Sequence, residues 1–303
     1  MSAPRRPDQH HASRRATGIG VLAIVMWATL APLAVYSRAV PPFQLVAVAF
    51  TIAFLVGAAA SLLRGRNPLD QLRQSWRVWL LGIGGLFGYH FFYFLAFRLA
   101  PAVEVNLINY LWPLLIVLLS ALLPGVRLRW WHAAGALVGL AGTALLVTRG
   151  GQVAIRADHL PGYLSALACA VTWAGYSVLS RRFGHVPTDA VAGFCLATAA
   201  LAGLCHMIFE TTVWPTALSG WTALALIGLG PVGAAFFVWD HGVKHGDIRL
   251  LGALSYLTPP ASTLLLVAMG AAEGHWTVWA ACLLIAGGAL LASRDLLRRP
   301  RTA

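Results

Sequence analysis

Hydrophobic and polar positions in this chain alternate on a long scale. Apolar runs of about twenty residues, the length an α-helix needs to cross the hydrocarbon core of a bilayer, recur at 18–37, 42–63, 76–97, 101–123, 130–147, 160–180, 187–210, 219–241, 249–271 and 275–293. The pattern predicts an all-α integral membrane protein with ten transmembrane helices. The longest connections, 64–75 and 148–159, leave no room for a soluble domain. A basic stretch precedes the first run, as in a secretory signal peptide. That run is too long for a signal's apolar region, however, and its Trp27 recurs in a later repeat, so it reads as a retained helix.

A constant shift of 146 residues aligns the two halves without a gap. Trp27-Ala28 falls on Trp173-Ala174, Pro41 on Pro187, Gly84 on Gly230, Tyr110-Leu111 on Tyr256-Leu257, Pro113 on Pro259 and Gly142 on Gly288. The register divides the chain into a basic tail 1–17, a five-helix unit 18–148, a second five-helix unit 160–293 and a basic tail 294–303. Five is odd, so the second unit is expected to enter the membrane from the opposite side. Two inverted repeats around a central cavity are a device of secondary transporters.

Composition agrees: 59% of residues are hydrophobic and 11% charged, and the mean hydropathy is +0.73, far from the soluble norm. The formal charge of +12 does not point to nucleic acid. With the N-terminus on the cytoplasmic side, 18 of the 22 basic residues fall inside, and only Arg38, Arg98, Arg149 and Arg156 fall outside. That is the positive-inside asymmetry, and it predicts a multi-pass protein of a bacterial inner membrane with both termini cytoplasmic. Nine tryptophans, at 76, 79, 130, 131, 214, 221, 239, 276 and 279, fall near predicted helix ends, where indoles favour the headgroup interface. Trp27, Trp112 and Trp173 do not. Cys169, Cys195, Cys205 and Cys282 lie within helices without C-x-x-C spacing, which argues for packing and against a disulfide framework or a metal site. No metal and no cofactor are expected.

Prolines and glycines mark interruptions. Pro113 and Pro259 each remove a helix hydrogen bond and free the carbonyl four residues earlier, tolerated at depth only where protein or a watery cavity satisfies it. Gly84 and Gly230 sit at corresponding places in helices three and eight, and these two with Gly88 are suited to close packing or to bending.

The stretch GYHFFYF (88–94) places a histidine and two tyrosines within an apolar run. His90 lies near the middle of helix three, and ionisable groups at such depth are functional candidates. Tyr89 and Tyr93, four apart, share a face beside it. In helix four, Asn106, Asn109, Tyr110 and Pro113 follow helical spacing, with Trp112 flanking. Trp27, Trp112, Trp173, the tyrosines, His90 and the asparagines are expected to line one pocket, and Tyr256, the repeat mate of Tyr110, is assigned to it as well. Aromatic faces bind planar or apolar groups and attract an ammonium. A pocket without compensating charges suits a ligand neutral or zwitterionic overall.

The segment GYHFFYFLAFRLAPAVEVNLINYLWPLLIVLLSALL closely resembles the matching region of YddG-type aromatic amino-acid exporters, in the EamA branch of the drug/metabolite transporter superfamily. The resemblance extends over the whole chain. It implies a bacterial inner-membrane exporter of aromatic and other amino acids working by alternating access. The cavity residues it implies fall on Tyr89, His90, Tyr93, Tyr110, Trp112 and Trp173. The repeat symmetry fails where His90 maps onto Phe236, Tyr89 onto Ala235 and Trp112 onto Thr258, so a lopsided cavity is expected. Efflux of cationic or planar drugs or other small metabolites is the alternative reading. An intramembrane enzyme is not expected, because neither G-x-S-x-G, H-E-x-x-H nor a pair of deep aspartates occurs. Protons stay open as a coupling partner beside the amino-acid substrate and the lipid bilayer.

Overall fold

The computed structural model describes residues 7–153 and 155–294. Among the described residues there is no strand, and nine helical spans are long and apolar enough to cross a membrane. They are α1 (His11–Tyr36), α2 (Pro42–Leu63), α3 (Trp76–Leu99), α4 (Ala102–Leu122), α5 (Trp130–Thr148), α6 (Ala157–Phe183), α7 (Ala190–Phe209), α8 (Leu218–His245) and α9 (Ile248–Ala268). The expected tenth helix is α10 (Trp276–Ala292), apolar and 17 residues long, at the lower limit of about 17 residues for a span. The chain is a multi-pass membrane protein.

Two boundaries differ from expectation. Helical structure begins at Pro7 rather than after the basic tail, because proline is pre-organised for a first helical turn and polar residues extend a helix beyond its apolar run. At the other boundary, α8 continues to His245 rather than ending near 241. Residues 1–6 and 295–303 of the two tails lie outside the described residues.

Helices pair across the halves: α1 on α8, α2 on α7, α3 on α6, α4 on α9 and α5 on α10. A shift of 146 residues turns each pairing into itself or into another of the set, as an approximate twofold relation requires. Without a hydrophobic drive between helices in lipid, small residues let backbones approach. At the α5–α10 crossing, a Cβ on Gly135 would stand 2.5 Å from the Gly288 carbonyl oxygen, and one on Gly288 would stand 2.5 Å from that of Gly135. Neither position has room for a side chain. Buried Cys169 and Cys195 and half-buried Cys205 and Cys282 are free thiols.

Four spans are interrupted near mid-depth. In α3 a wide π-type turn occupies Gly84–Gly88, and in α8 another occupies Gly230–Ala234. Nothing lies within 4 Å of a Cβ built on Gly84 or Gly230, so these two glycines are not spacers. Close packing belongs instead to Gly82 and Gly85, which sit against the rings of Phe194 and Tyr176. The helix of α4 breaks at Tyr110, just before Pro113, and α9 tightens into a 3-10 turn at Ser255–Leu257, just before Pro259. In both, the proline sits in the first turn of the following segment, where its missing N–H costs least. A further break at Thr29 precedes Pro32 in α1.

Candidate functional site

A cavity of about 690 Å³ lies among α1, α2, α3, α4, α6, α8 and α9, within the size range of small-molecule sites. Its walls follow from the breaks. Along α1 the lining runs through Ala34, Ala31 and Leu30 to Trp27, along α3 through Phe94 and Tyr93 to His90 and Tyr89, and along α4 through Asn106, Asn109 and Tyr110 to Trp112. Each wall stops near mid-depth. The mouth is the connection carrying Ser37, exposed Arg38 and Val40.

The floor is a cluster of four tryptophans. Trp27 lies with ring centroids 6.1 Å from Trp112, 5.7 Å from Trp173 and 5.0 Å from Trp239. The other three pairs lie at 6.1–6.4 Å. Trp239 is fully buried beneath the lining, and its indole N–H donates to Ser177 Oγ at 3.1 Å. Its expected place at the headgroup interface is therefore corrected: α8 runs further than its apolar run suggested, which leaves Trp239 inside the bundle. Trp131, the second residue of α5, is buried against protein at the helix end, with the guanidiniums of Arg129 and Arg294 over its ring at 5.0 and 5.6 Å.

Side chains of α3 form one wall. The Tyr89 and Tyr93 rings stack at 5.9 Å, and the Tyr89 ring lies 5.5 Å from that of Trp173. His90 meets Phe50 edge-on at 5.2 Å and Phe236 at 6.2 Å. Its Nδ1 lies 2.7 Å from the Leu86 carbonyl oxygen. A carbonyl only accepts, so Nδ1 carries a proton, and in the neutral tautomer that leaves Nε2 as an acceptor. Asn109 Nδ2 donates to Tyr89 Oη at 3.4 Å, and Asn109 Oδ1 is buried without a partner. Asn106 bonds its own helix, donating to the Ala102 carbonyl at 2.9 Å. Among the described residues no carboxylate lines the cavity.

Nine of the ten residues assigned to the pocket from the sequence thus meet around one space: Trp27, Tyr89, His90, Tyr93, Asn106, Asn109, Tyr110, Trp112 and Trp173. Tyr256 does not. It is fully buried among Val117, Ala136 and Ile285, and its hydroxyl donates to the Tyr110 carbonyl at 3.1 Å and accepts the Leu114 N–H at 3.2 Å. Repeat symmetry put it beside Tyr110 in the chain pattern, but its ring packs behind α4, over Gly139, where a Cβ would stand 2.6 Å from it. Sequence reasoning missed Phe236, Thr258 and Ser262, all cavity-lining. Repeat mapping had already placed Phe236 and Thr258 opposite His90 and Trp112.

Polar ties fasten the end away from the mouth. Asp240 Oδ2 receives Lys244 Nζ at 2.8 Å and Thr188 Oγ1 at 2.8 Å, and Lys244 also donates to the Val186 carbonyl at 3.1 Å. Arg181 donates to the Val243 and Gly246 carbonyls at 3.1 and 2.7 Å. At the mouth end, Glu210 accepts from the Phe43 and Gln44 amides at 3.0 and 3.1 Å, pinning the start of α2.

Comparison with known proteins identifies the family. The model of the EamA-like transporter family matches residues 15–148 and 160–294. An aromatic amino acid exporter YddG of Ancylobacter novellus is 58% identical over 279 residues, covering 92% of this chain and 96% of the relative. One of the same name from Escherichia coli K12 is 27% identical over 300 residues, covering 92% and 96%. A solved crystal structure at 57% identity superposes with a TM-score of 0.88, covering 94% of this chain and 99% of its own.

Proposed function

The chain belongs to the EamA-like transporter family, and from that premise we propose that it exports amino acids, with aromatic and medium-sized apolar or neutral side chains preferred, across a bacterial inner membrane. The observation that carries this reading is the cavity itself: aromatic on its floor and on the α3 wall, with amide and hydroxyl groups between, and without a carboxylate. Such a lining favours a planar or apolar side chain through ring contacts and offers no counter-charge that would select a cation. The names of the relatives, aromatic amino acid exporters, support the same substrate class.

Transport proceeds by alternating access between two inverted five-helix units. The positive-inside asymmetry puts both termini in the cytoplasm and Arg38 outside. In that orientation the cavity opens outward, and the Asp240–Lys244 pair, with the Arg181 carbonyl contacts, closes the inner side. The breaks at Gly84–Gly88, Tyr110, Gly230–Ala234 and Ser255–Leu257 are the places where half-helices reorient. Substrate contacts are Tyr89, His90, Tyr93, Tyr110, Trp112 and Trp173, with Asn106, Asn109 and Trp27.

The test is uptake of labelled amino acids into liposomes holding the purified protein, with and without an imposed pH gradient. Saturable flux supports the reading, and its response to the gradient distinguishes proton coupling from facilitated diffusion. Folded protein that moves no amino acid overturns it.

A further inference from the structure

Serine and threonine hydroxyls inside membrane helices ordinarily bond back to the carbonyl one turn earlier. In α9, Ser255 does so to Leu251 at 2.7 Å, and Thr263 to Pro259 at 2.9 Å. Thr258 and Ser262 do not: both line the cavity, and their hydroxyl oxygens are buried without a partner. They stand four residues apart, so they share one helix face. Prolines 259 and 260 carry no N–H, so hydroxyls rather than backbone amides are the donors this wall offers. On α4, Asn109 also lines the cavity, and its Oδ1, which can only accept, is likewise buried and unpartnered. Orphaned polar groups at depth are costly, and here they are gathered on residues of one cavity: donors on α9, an acceptor on α4.

We infer that Thr258 and Ser262 form the carboxylate subsite of the cavity, and that Asn109 Oδ1 receives the ammonium of the same ligand. The proposal requires each hydroxyl to turn about its Cα–Cβ bond toward the cavity when the ligand arrives. A zwitterionic amino acid then lies with its carboxylate toward α9 and its side chain against the Trp112 and Trp173 rings. This inference rests on the amino-acid export reading. It also explains why the wall contributed by the second half carries Thr258 where the first half carries Trp112: one repeat supplies the ring surface, the other the donors.

The experiment compares full-length wild type with Thr258→Val, Ser262→Ala and the double variant in liposomes. Labelled phenylalanine is the substrate, and phenylalanine amide, which lacks the carboxylate, is the competitor. The double variant is expected to raise the KM for phenylalanine at least tenfold while the inhibition constant of the amide stays within twofold of wild type. Ser262→Ala alone, the smaller change, shows the same selective shift to a lesser degree and serves if the double variant folds poorly. An unchanged phenylalanine KM, or equal losses for both compounds, overturns the subsite while leaving export standing. Wild-type protein that transports no amino acid overturns the export reading and the subsite with it.

Discussion

The Tyr256 hydroxyl bridges the two sides of the break in α4, donating to the carbonyl of Tyr110 and accepting the amide of Leu114, at 3.1 and 3.2 Å. Tyr256 and Tyr110 are repeat mates, so one tyrosine braces the backbone of the other while that other faces the cavity. Tyr256→Phe keeps the packing and removes the bridge. The expected cost is about 1–3 kcal/mol, the penalty for stranding buried polar groups, seen as a lower unfolding temperature in detergent. Unchanged thermal stability would show that the bridge is dispensable.

Trp173 touches Trp27, Tyr89, Phe236 and Trp239 within 6.1 Å, and so joins the floor of the cavity to the α3 wall. Ring contacts of this kind are worth about 0.5–1.5 kcal/mol each beyond area. Trp173→Ala is expected to raise the KM for an aromatic amino acid at least about tenfold, and Trp173→Phe to restore much of it. The check is liposome flux at matched protein content. Equal KM values across the three proteins would remove Trp173 from the site.

The Asp240–Lys244 pair is almost wholly buried, with side chains 2% and 4% exposed. Removing one partner strands a charge, at a cost of about 3–5 kcal/mol, whereas removing both is often near neutral. Asp240→Asn and Lys244→Met are each expected to destabilise the protein strongly, and the double variant to recover most of the loss. A double-mutant cycle on unfolding temperature measures the coupling. Additive losses would mean that the two residues act separately.

Asp247 lies in the connection before α9. Burial raises the pKa of its carboxyl, but the Arg249 guanidinium, with donors including the Leu250 and Arg249 amides, outweighs this and holds it below the usual carboxylate value. Because the folded-state pKa is depressed, the stabilisation is present above the unfolded pKa and is lost as pH falls through the folded one. Wild-type stability is expected to decline on acidification below the ordinary aspartate range, with Asp247→Asn showing a shallower decline. Parallel pH profiles for the two would exclude this linkage.

The spans were legible in the sequence because lipid demands long apolar runs and tolerates few exceptions, and the 146-residue register was legible because both copies kept their glycines and prolines. The cavity was legible for similar reasons, since Tyr89, His90 and Trp112 are out of place against lipid. Trp239 was not, because an indole near the end of an apolar run looks interfacial until the helix is seen to continue. Tyr256 misled because repeat mates face alike only where both copies keep the same local geometry, and α4 breaks at Tyr110 whereas Tyr256 sits within a 3-10 turn. Thr258 showed only as the repeat mate of Trp112 and Ser262 not at all, because sequence does not show which hydroxyls bond back to their own helix.

The wide turns at Gly84–Gly88 and Gly230–Ala234 act as one-residue insertions within otherwise regular helices. Each residue of a helix advances the side-chain azimuth by about 100°. A wide turn carries about one residue more than an α-helical turn and so absorbs it, and deleting one residue of the first turn would close it to a regular helix with Tyr89, His90 and Tyr93 still facing the cavity. Each of the two wide turns thus holds one residue in reserve, which its helix can lose or regain without turning the side chains beyond it.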